Sequence, residues 1–246
     1  MQKSVYFFAV AIYKILKGEN KMHYFTKSEI CLWSVSVLMV LTAFLLFDRV
    51  NYLSLAASLL GVTSLIFAAK GNPFAQILMI IFSLLYGFIS YQFAYYGEMI
   101  TYLGMTMPMA VFTLISWLKH PFAGNKSEVQ IHHVKKSELL LIFISTLLVT
   151  ILFYFILKHF HTANLLPSTI SVTTSFLAVS LTFFRSPYYA AAYAANDMIL
   201  LLLWGLAAAE NISYLSVLAC FLAFLINDIY AFINWKRIEK RQRHSA

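Results

Sequence analysis

The sequence SPYYAAAYAANDMILLLLW, residues 186–204, is an apolar run with Asn196 and Asp197 near its middle. It is nearly long enough to cross a bilayer as a helix, and a charged side chain at that depth usually faces a protein interior or a water-filled cavity. Residues at steps of three and four share one helix face, and here they are Tyr189, Tyr193, Asn196, Leu200 and Trp204. Aromatic rings, an amide and an anion predict half of a site for a small polar or cationic aromatic molecule.

The composition of the whole chain is typical of an integral membrane protein. Of its 246 residues, 61% are hydrophobic and 11% are charged, whereas soluble domains are roughly 45–50% apolar and about 25% charged. The net charge of +8 comes from basic residues at the chain ends and between apolar runs. It therefore indicates membrane topology and not nucleic-acid binding, which needs a basic face on a soluble fold.

Eight apolar runs are each long enough, or nearly so, to span roughly 30 Å of hydrocarbon. A segment in lipid must satisfy its backbone polar groups internally, and no run alternates as a barrel strand does, so we expect eight helices. The predicted fold class is all-α, a polytopic helical membrane protein. The predicted spans are 31–47, 52–69, 73–95, 99–117, 139–157, 166–184, 188–209 and 214–235.

The distribution of Lys and Arg predicts the orientation of these spans in the cell membrane. With the lead 1–30 in the cytoplasm, sixteen of the eighteen basic residues lie in cytoplasmic segments, and only Arg49 and Lys158 lie outside. Both termini are therefore predicted to be cytoplasmic. The apolar patch 5–12 lacks a small-residue cleavage site, so it predicts an interfacial helix or a disordered segment and not a cleaved signal peptide.

A shift of the chain against itself by 118 residues indicates an internal repeat, although an aromatic content of 17% makes coincidence the alternative. The shift aligns Tyr86 with Trp204, Gly87 with Gly205, Tyr96 with Tyr214, Phe112 with Tyr230 and Trp117 with Trp235.

The predicted repeats are 52–117 and 166–235, with three spans each. After three spans the chain is on the opposite side of the membrane, so a copy that followed directly would be inverted. The additional span in 139–165 returns the chain and gives both units the same orientation. The helix in 31–51 stands outside the repeat. The loop 118–138 and the basic tail 236–246 complete the chain. Parallel repeats in a 3+1+3 arrangement are a transporter architecture, with substrate held between the units near the membrane midplane.

Each polar residue in a span allows a functional and a structural interpretation. In the functional interpretation, Asp197 is a counter-ion for a cationic substrate or a protonatable switch. In the structural interpretation, it is a hydrogen-bonded carboxyl group that joins two helices. Asn196 points nearly 100° away from it and could be an interhelical contact. Asn227 and Asp228 repeat the same dipeptide in the last span, and both interpretations apply to them equally. Gln92, near the outer end of the third span, could bind a ribose or an amide or reach interfacial water.

Enzymatic function is disfavoured because the usual catalytic patterns are missing from the sequence. His132 and His133 have no Cys or paired carboxylate at metal-ligand spacing, and there is no Walker motif or nucleophile elbow. Cys31 and Cys220 lie in apolar segments, where small buried side chains are the usual outcome. We expect no cofactor and no metal.

The order of these segments resembles the nicotinamide riboside transporter family, PnuC, over residues 52–243. The resemblance rests on four parts of the sequence: Tyr96-Gly97-Glu98 followed by Trp117, segments 117–122 and 124–126, segment 188–204, and segment 226–235 with the basic tail. The resemblance implies a homotrimer of 3+1+3 helix units and facilitated diffusion of a vitamin-like nucleoside, which an intracellular kinase traps by phosphorylation. It also implies that Gln92 and Asn196 contact substrate.

This chain departs from the family at the residues that stack on the substrate. Members that bind nicotinamide riboside have tryptophans one and two turns before the asparagine, where this chain has Ala192 and Tyr189. Tyr189, Tyr193 and Trp204 are candidate substitutes. Family relatives carry thiamine, riboflavin or deoxynucleosides, and Asp197 favours a cation, which both nicotinamide riboside and thiamine are. Proton coupling through Asp197 and a membrane sensor or assembly subunit that binds through 118–138 are the alternatives.

Overall fold

The computed structural model describes residues 24–92, 96–162 and 164–245. Within these ranges it has eight helices long and apolar enough to cross a membrane, which confirms the all-α polytopic fold. The interfacial helix or disordered segment predicted at 5–12 lies outside the described residues. The helices are α1 (Lys27–Phe47), α2 (Tyr52–Ala69), α3 (Phe74–Gln92), α4 (Tyr96–Lys119), α5 (Lys136–His159), α6 (Leu165–Phe183), α7 (Tyr189–Glu210) and α8 (Leu215–Ser245).

The first and last helices extend beyond the predicted apolar spans. Helix α1 begins at Lys27 because Thr26 and Glu29 form a reciprocal capping box at its N-terminus. Helix α8 continues through the basic tail, where Glu239 pairs with Lys236 and Arg243 one turn before and after it. Polar capping and charge pairs therefore set helix ends that hydrophobicity alone does not reveal.

Helix α4 contains one widened turn in its middle. Residues Thr101–Thr106 are π-helical, and the regular helix resumes at Met107. Pro108 follows directly, and a proline has no N–H and crowds the carbonyl four residues before it. The widened turn accommodates this defect, and such turns are frequent at functional sites.

The loop 118–138 carries a short β-hairpin that the sequence analysis did not predict. Strand β1 (Pro121–Phe122) pairs antiparallel with β2 (Asn125–Val129), and the turn places Ala123 and Gly124 at φ values of 48° and 78°. The Val129 N–H donates to the Gly71 carbonyl at 2.9 Å, and Gln242 Nε2 donates to the Val129 carbonyl at 3.1 Å. The hairpin thus connects the α2–α3 turn to the end of α8.

The two predicted three-helix units contact each other mainly through two helix pairs. Helix α2 packs against α8, and α4 packs against α6. Within the units, α2 packs on α3 and α3 on α4, as α6 packs on α7 and α7 on α8. Helix α5 packs mainly against α6, whereas α1 packs against α2 and α8. The same pattern of neighbours therefore occurs in both units.

Helices α2 and α6 end with the same backbone geometry. The chain turns left-handed at Gly71 (φ 66°) and at Arg185 (φ 56°). After each turn, the N–H of the next residue returns to a helix carbonyl: Asn72 donates to Phe67 at 3.0 Å, and Ser186 donates to Leu181 at 2.9 Å. This is the Schellman type of helix end. Glycine makes the first turn without strain, whereas Arg185 adopts it with a side chain.

Each of these helix ends receives hydrogen bonds from the other unit. Trp235 Nε1 on α8 donates to the Ala68 carbonyl of α2 at 2.8 Å, and Trp117 Nε1 on α4 donates to the Thr182 carbonyl of α6 at 2.9 Å. The two buried indoles also contact each other, with ring centroids 5.6 Å apart.

The residues before the two tryptophans make the same type of contact. Asn234 Nδ2 donates to the Ala69 carbonyl at 2.8 Å, and Ser116 Oγ donates to the Phe183 carbonyl at 3.0 Å. We call this set of contacts, made by Ser116, Trp117, Asn234 and Trp235, the tryptophan clasp. Its donors correspond under the 118-residue shift, whereas the accepting carbonyls, such as those of Ala68 and Thr182, are 114 residues apart, about one helical turn less. This correspondence adds a structural argument for the predicted repeat.

Replacing Trp235 by Phe should lower the stability of the purified protein in thermal unfolding. The indole N–H is a buried donor, and loss of its hydrogen bond costs about 0.5–1.5 kcal/mol. Trp33→Phe is the matched control, because Trp33 Nε1 donates to Thr63 Oγ1 at 3.2 Å from a side chain that is 37% exposed. Equal destabilisation by both substitutions would contradict a special role for the clasp.

Candidate functional site

A cavity of about 130 Å³ lies between the two predicted three-helix units. Every helix from α2 to α8 contributes at least one side chain to its wall. Such cavities between the helices of a bundle are common ligand sites. Its position corresponds to the site that parallel-repeat transporters use.

Aromatic side chains form one part of the cavity wall. Tyr86 on α3 and Tyr102 on α4 have ring centroids 4.6 Å apart. Trp204 on α7 and Phe221 on α8 are nearly parallel, with an interplanar angle of 17° and a centroid distance of 6.4 Å. These rings offer flat apolar faces and a negative π surface to a bound ring or cation.

Hydroxyl groups form a second part of the wall. Helix α6 contributes three serines, and α4 contributes two threonines from its widened turn. The lining hydroxyl residues are Thr101, Thr106, Thr162, Ser168, Ser171 and Ser175. The hydroxyl-rich sequence of α6 is therefore used partly at the cavity and not only for helix packing.

Asn196 is fixed at the cavity by two hydroxyl groups of α6. Its Oδ1 atom accepts a hydrogen bond from Ser171 Oγ at 3.1 Å and from Thr174 Oγ1 at 2.9 Å. The side chain is only 5% exposed and lines the cavity. With its oxygen engaged in this way, Asn196 brings its NH₂ group to the site as a hydrogen-bond donor.

Three carboxyl groups line the cavity: Asp197 on α7, Asp228 on α8 and Glu98 on α4. Asp197 and Asp228 are 3% and 2% exposed, and their carboxyl groups lie within hydrogen-bonding reach of each other. Asp197 Oδ2 and Asp228 Oδ1 have no hydrogen-bond partner among the described residues. The described lining contains no Lys, Arg or His. The cavity is therefore electronegative.

The structure brings four of the predicted site residues together at this cavity: Tyr193, Asn196, Asp197 and Trp204. It places the other three elsewhere. Gln92 is the last residue of α3 and is exposed. Tyr189 is buried against Trp235, with ring centroids 4.7 Å apart.

Asn227 also lies away from the cavity lining. Its Nδ2 atom donates to Ser36 Oγ on α1 and to the Ala223 carbonyl, each at 2.8 Å. This contact joins α8 to the helix that stands outside the predicted repeats. The neighbouring Asp228 faces the cavity instead, because consecutive helix residues point about 100° apart.

The predicted site residues did not include Glu98, Tyr86 or Tyr102, nor Asp228, for which the sequence left a functional and a structural role open. For Asp228 a signal was present in the sequence: Phe221, Phe224 and Asp228 recur at steps of three and four, so they share a helix face. Helix α4 gave a weaker signal, because its π-helical turn shifts the period of the residues on either side.

The cavity should be accessible to water-soluble thiol reagents. In a Cys31→Ala, Cys220→Ala background, we expect Ser175→Cys on the cavity wall to react readily. Ser83→Cys is the control, because Ser83 is fully buried on α3 and does not line the cavity. Labelling followed by mass spectrometry measures both rates, and equal slow labelling would contradict a hydrated cavity.

Comparison with known proteins gives consistent matches for this architecture. The family described as "Nicotinamide mononucleotide transporter" matches residues 51–237. A nicotinamide riboside transporter, PnuC of Neisseria mucosa, is 26% identical over 215 residues, which cover 85% of this chain and 81% of that protein.

A solved structure gives a further match. The crystal structure of a vitamin B3 transporter PnuC superposes with a TM-score of 0.76 at 24% identity, covering 90% of this chain and 95% of that chain. At this level of identity the superposition shows a shared fold. It supports the eight-helix architecture around the cavity.

Proposed function

The chain belongs to the nicotinamide mononucleotide transporter family, a family of membrane transporters, and we propose that it imports nicotinamide riboside or a closely related vitamin by facilitated diffusion. The observation that carries this proposal is the electronegative, aromatic cavity between the two three-helix units. The curated relative is a nicotinamide riboside transporter, and the solved neighbour is a vitamin B3 transporter. Both names support the same substrate class.

The chemistry of the cavity matches the parts of nicotinamide riboside. Its pyridinium ring is flat and positively charged, so it suits aromatic faces such as Trp204 and Tyr102. Stacking on such faces contributes about 1–3 kcal/mol per ring if nucleic-acid bases are a guide. Asp197 and Asp228 offset the charge, and the hydroxyl-lined wall replaces water around the ribose.

The charge of the lining favours the riboside over the mononucleotide. A phosphate needs Arg, Lys or free backbone N–H donors, and the described lining has carboxyl groups and no basic side chain. The 5′-phosphate of the mononucleotide would meet Asp197, Asp228 or Glu98 without a counter-charge. We therefore propose that substrate enters unphosphorylated and that an intracellular kinase traps it, because the phosphorylated product no longer fits the cavity.

The orientation belongs to the same proposal. Basic segments that are distant in sequence lie at one end of the bundle: Arg241 pairs with Glu128 of the hairpin, and Arg185 Nη1 contacts His120 Nδ1 at 2.8 Å. By the positive-inside rule this end faces the cytoplasm, so both termini are cytoplasmic. The tryptophan clasp lies at this end too, and opening toward the cytoplasm requires the two units to separate there.

We further propose that the protein assembles as a homotrimer in the cell membrane. Helix α5 packs mainly against α6 and exposes large apolar side chains along much of its length, including Leu141, Phe143 and Leu148. Such a face suits lipid or another subunit. The family resemblance supplies the number of subunits.

Nicotinamide riboside should bind the purified protein and raise its melting temperature, whereas nicotinamide mononucleotide should bind at least about tenfold more weakly. Asn196→Ala should weaken riboside binding by roughly 10–100-fold, because an unpaired buried polar group costs about 1–3 kcal/mol and 1.4 kcal/mol is tenfold. Asn227→Ala is the control, since Asn227 does not line the cavity.

Thiamine and riboflavin serve as competing ligands in the same experiment. Preferential binding of thiamine would replace the proposed substrate with another cationic vitamin. Equal affinity for riboside and mononucleotide would contradict the electrostatic argument.

In proteoliposomes with equal pH on both sides and no membrane potential, uptake of nicotinamide riboside should stop when the two concentrations are equal. A facilitator has no energy source, and the sequence has no Walker motif. Radiolabelled uptake measures the plateau, with Trp204→Ala as the variant that slows it and Trp33→Phe as the control. Binding without any uptake would favour a membrane sensor instead.

A further inference from the structure

Asp197 and Asp228 face one cavity from two helices packed against each other, with their carboxyl groups within hydrogen-bonding reach, and a hydrogen bond between them requires a proton. An ionised carboxylate only accepts hydrogen bonds, so two carboxyl groups bond to each other only when one of them is protonated. Both side chains are at least nine-tenths buried, which prevents water from separating their charges. Two carboxylates in such contact hold one proton between them.

The groups that face this pair do not supply a positive charge. The described lining from α2 and α6 has apolar and hydroxyl side chains, without an acidic or basic residue. The titratable groups near the pair are Tyr86 of α3, Glu98 and Tyr102 of α4, Tyr189 and Tyr193 of α7, and Cys220 of α8. Tyr, Glu and Cys side chains are neutral when protonated and negative when deprotonated, so none of them can offset the charge of the pair. The shared proton is what offsets it.

Each of these two cavity-lining carboxyl groups has one buried oxygen without a hydrogen-bond partner in the described part of the chain. Asp197 Oδ2 and Asp228 Oδ1 lack a partner among the described residues, although a buried carboxyl oxygen normally accepts a hydrogen bond. Aromatic rings of Tyr102, Trp204 and Phe224 line the same cavity. An unpartnered acceptor beside π faces is the arrangement that an organic cation with a flat ring would complete.

We propose that binding of one organic cation in the cavity displaces the proton shared by Asp197 and Asp228. This inference rests on the proposed function and makes Asp228 a residue that determines specificity. The cation takes the place of the proton between the two acids, so the site selects for positive charge as well as for ring shape.

The step balances in atoms and charge. The O–H bond of the protonated carboxyl breaks, the proton passes to water in the cavity, and both carboxylates then face the cation. The pair carries one net negative charge with its proton, and it carries the same net charge with the cation in place. The net charge of the site is thus the same with and without bound cation. The electrostatic energy needed to turn the site from one side of the membrane to the other is therefore similar for the empty and the loaded protein.

This constancy suits a facilitator, which must return empty as readily as it crosses loaded. Each inward passage of the cation is matched by one proton moving outward, so transport carries no net charge. With equal pH on both sides this exchange is passive and gives the same end point as facilitated diffusion, whereas a pH gradient would bias it.

The test is isothermal titration calorimetry of the purified full chain with nicotinamide riboside, in buffers of different ionisation enthalpy at one pH. The slope of binding enthalpy against buffer enthalpy gives the protons released, and we expect a value near one. By linkage, the dissociation constant should then rise about tenfold for each unit of falling pH. Reduced nicotinamide riboside, which has a neutral ring, should release none.

Asp228→Asn should abolish proton release and make the affinity independent of pH, because the introduced amide N–H can donate to Asp197 in place of the shared proton, which leaves that carboxyl group ionised before the cation binds. If that variant does not fold, Asp197→Asn carries the same expectation. Asp48→Asn is the matched control: it makes the same chemical change in the α1–α2 turn, away from the cavity lining, and should release one proton as the wild type does.

The outcomes separate this inference from the proposed function. Riboside binding without proton release in the wild type overturns the inference and leaves the proposed substrate standing, as does release that persists in both pair variants. If the riboside does not bind, the proposed substrate is wrong, and the inference is then tested with thiamine. Proton release on thiamine binding supports the inference. Failure of both cations to bind overturns it.

Discussion

Carboxyl groups enclosed by membrane-spanning helices constrain the side chains around them, because hydrocarbon solvates a charge poorly. Asp197 and Asp228 are almost fully buried, and the described cavity lining gives them no basic partner. Their cost is lowered when the two groups share one proton, as we propose, and by polar surroundings. Hydroxyl groups of α6 and of the widened turn of α4 supply those surroundings.

A carrier must also hold two helix units together without fixing them permanently. The tryptophan clasp joins them through hydrogen bonds from Trp117 and Trp235 to helix-end carbonyls. Those carbonyls have a second donor, since Arg185 N–H also donates to Thr182 and Gly71 N–H also donates to Ala68. Separation of the units therefore leaves the helix ends intact and capped. The clasp can break without unfolding either helix, which is what a gate between two rigid units requires.

The sequence predicted what hydrophobicity and charge control directly. Eight spans followed from apolar length, and residues 186–204 identified a polar position in α7 that the structure places at the cavity. Asn196 and Asp197 both line it although they diverge along the helix, because α7 packs against both α6 and α8: Asn196 bonds to α6, and Asp197 contacts Asp228 of α8.

Predictions that needed tertiary contacts were less complete. Asn227 and Asp228 are alike in sequence, and their different surroundings depend on where α1 packs against α8. Glu98 was recognised as part of a family pattern, yet its place at the cavity follows from the geometry of α4 around Thr101–Thr106. The hairpin within 118–138 depends on long-range bonds to Gly71 and Gln242, which leave no periodic signal.

In the proposed function, the electrostatics of the cavity also connects recognition of the riboside to its retention in the cell. A cationic riboside gains from the carboxyl groups, whereas the same molecule with a phosphate carries negative charge to the same acids. Since a like charge close to a buried carboxylate is disfavoured by several kcal/mol, one set of side chains favours entry of the substrate and resists escape of its phosphorylated product. The proposed trapping then needs no separate device in the transporter, because phosphorylation would add a group that Asp197 and Asp228 repel.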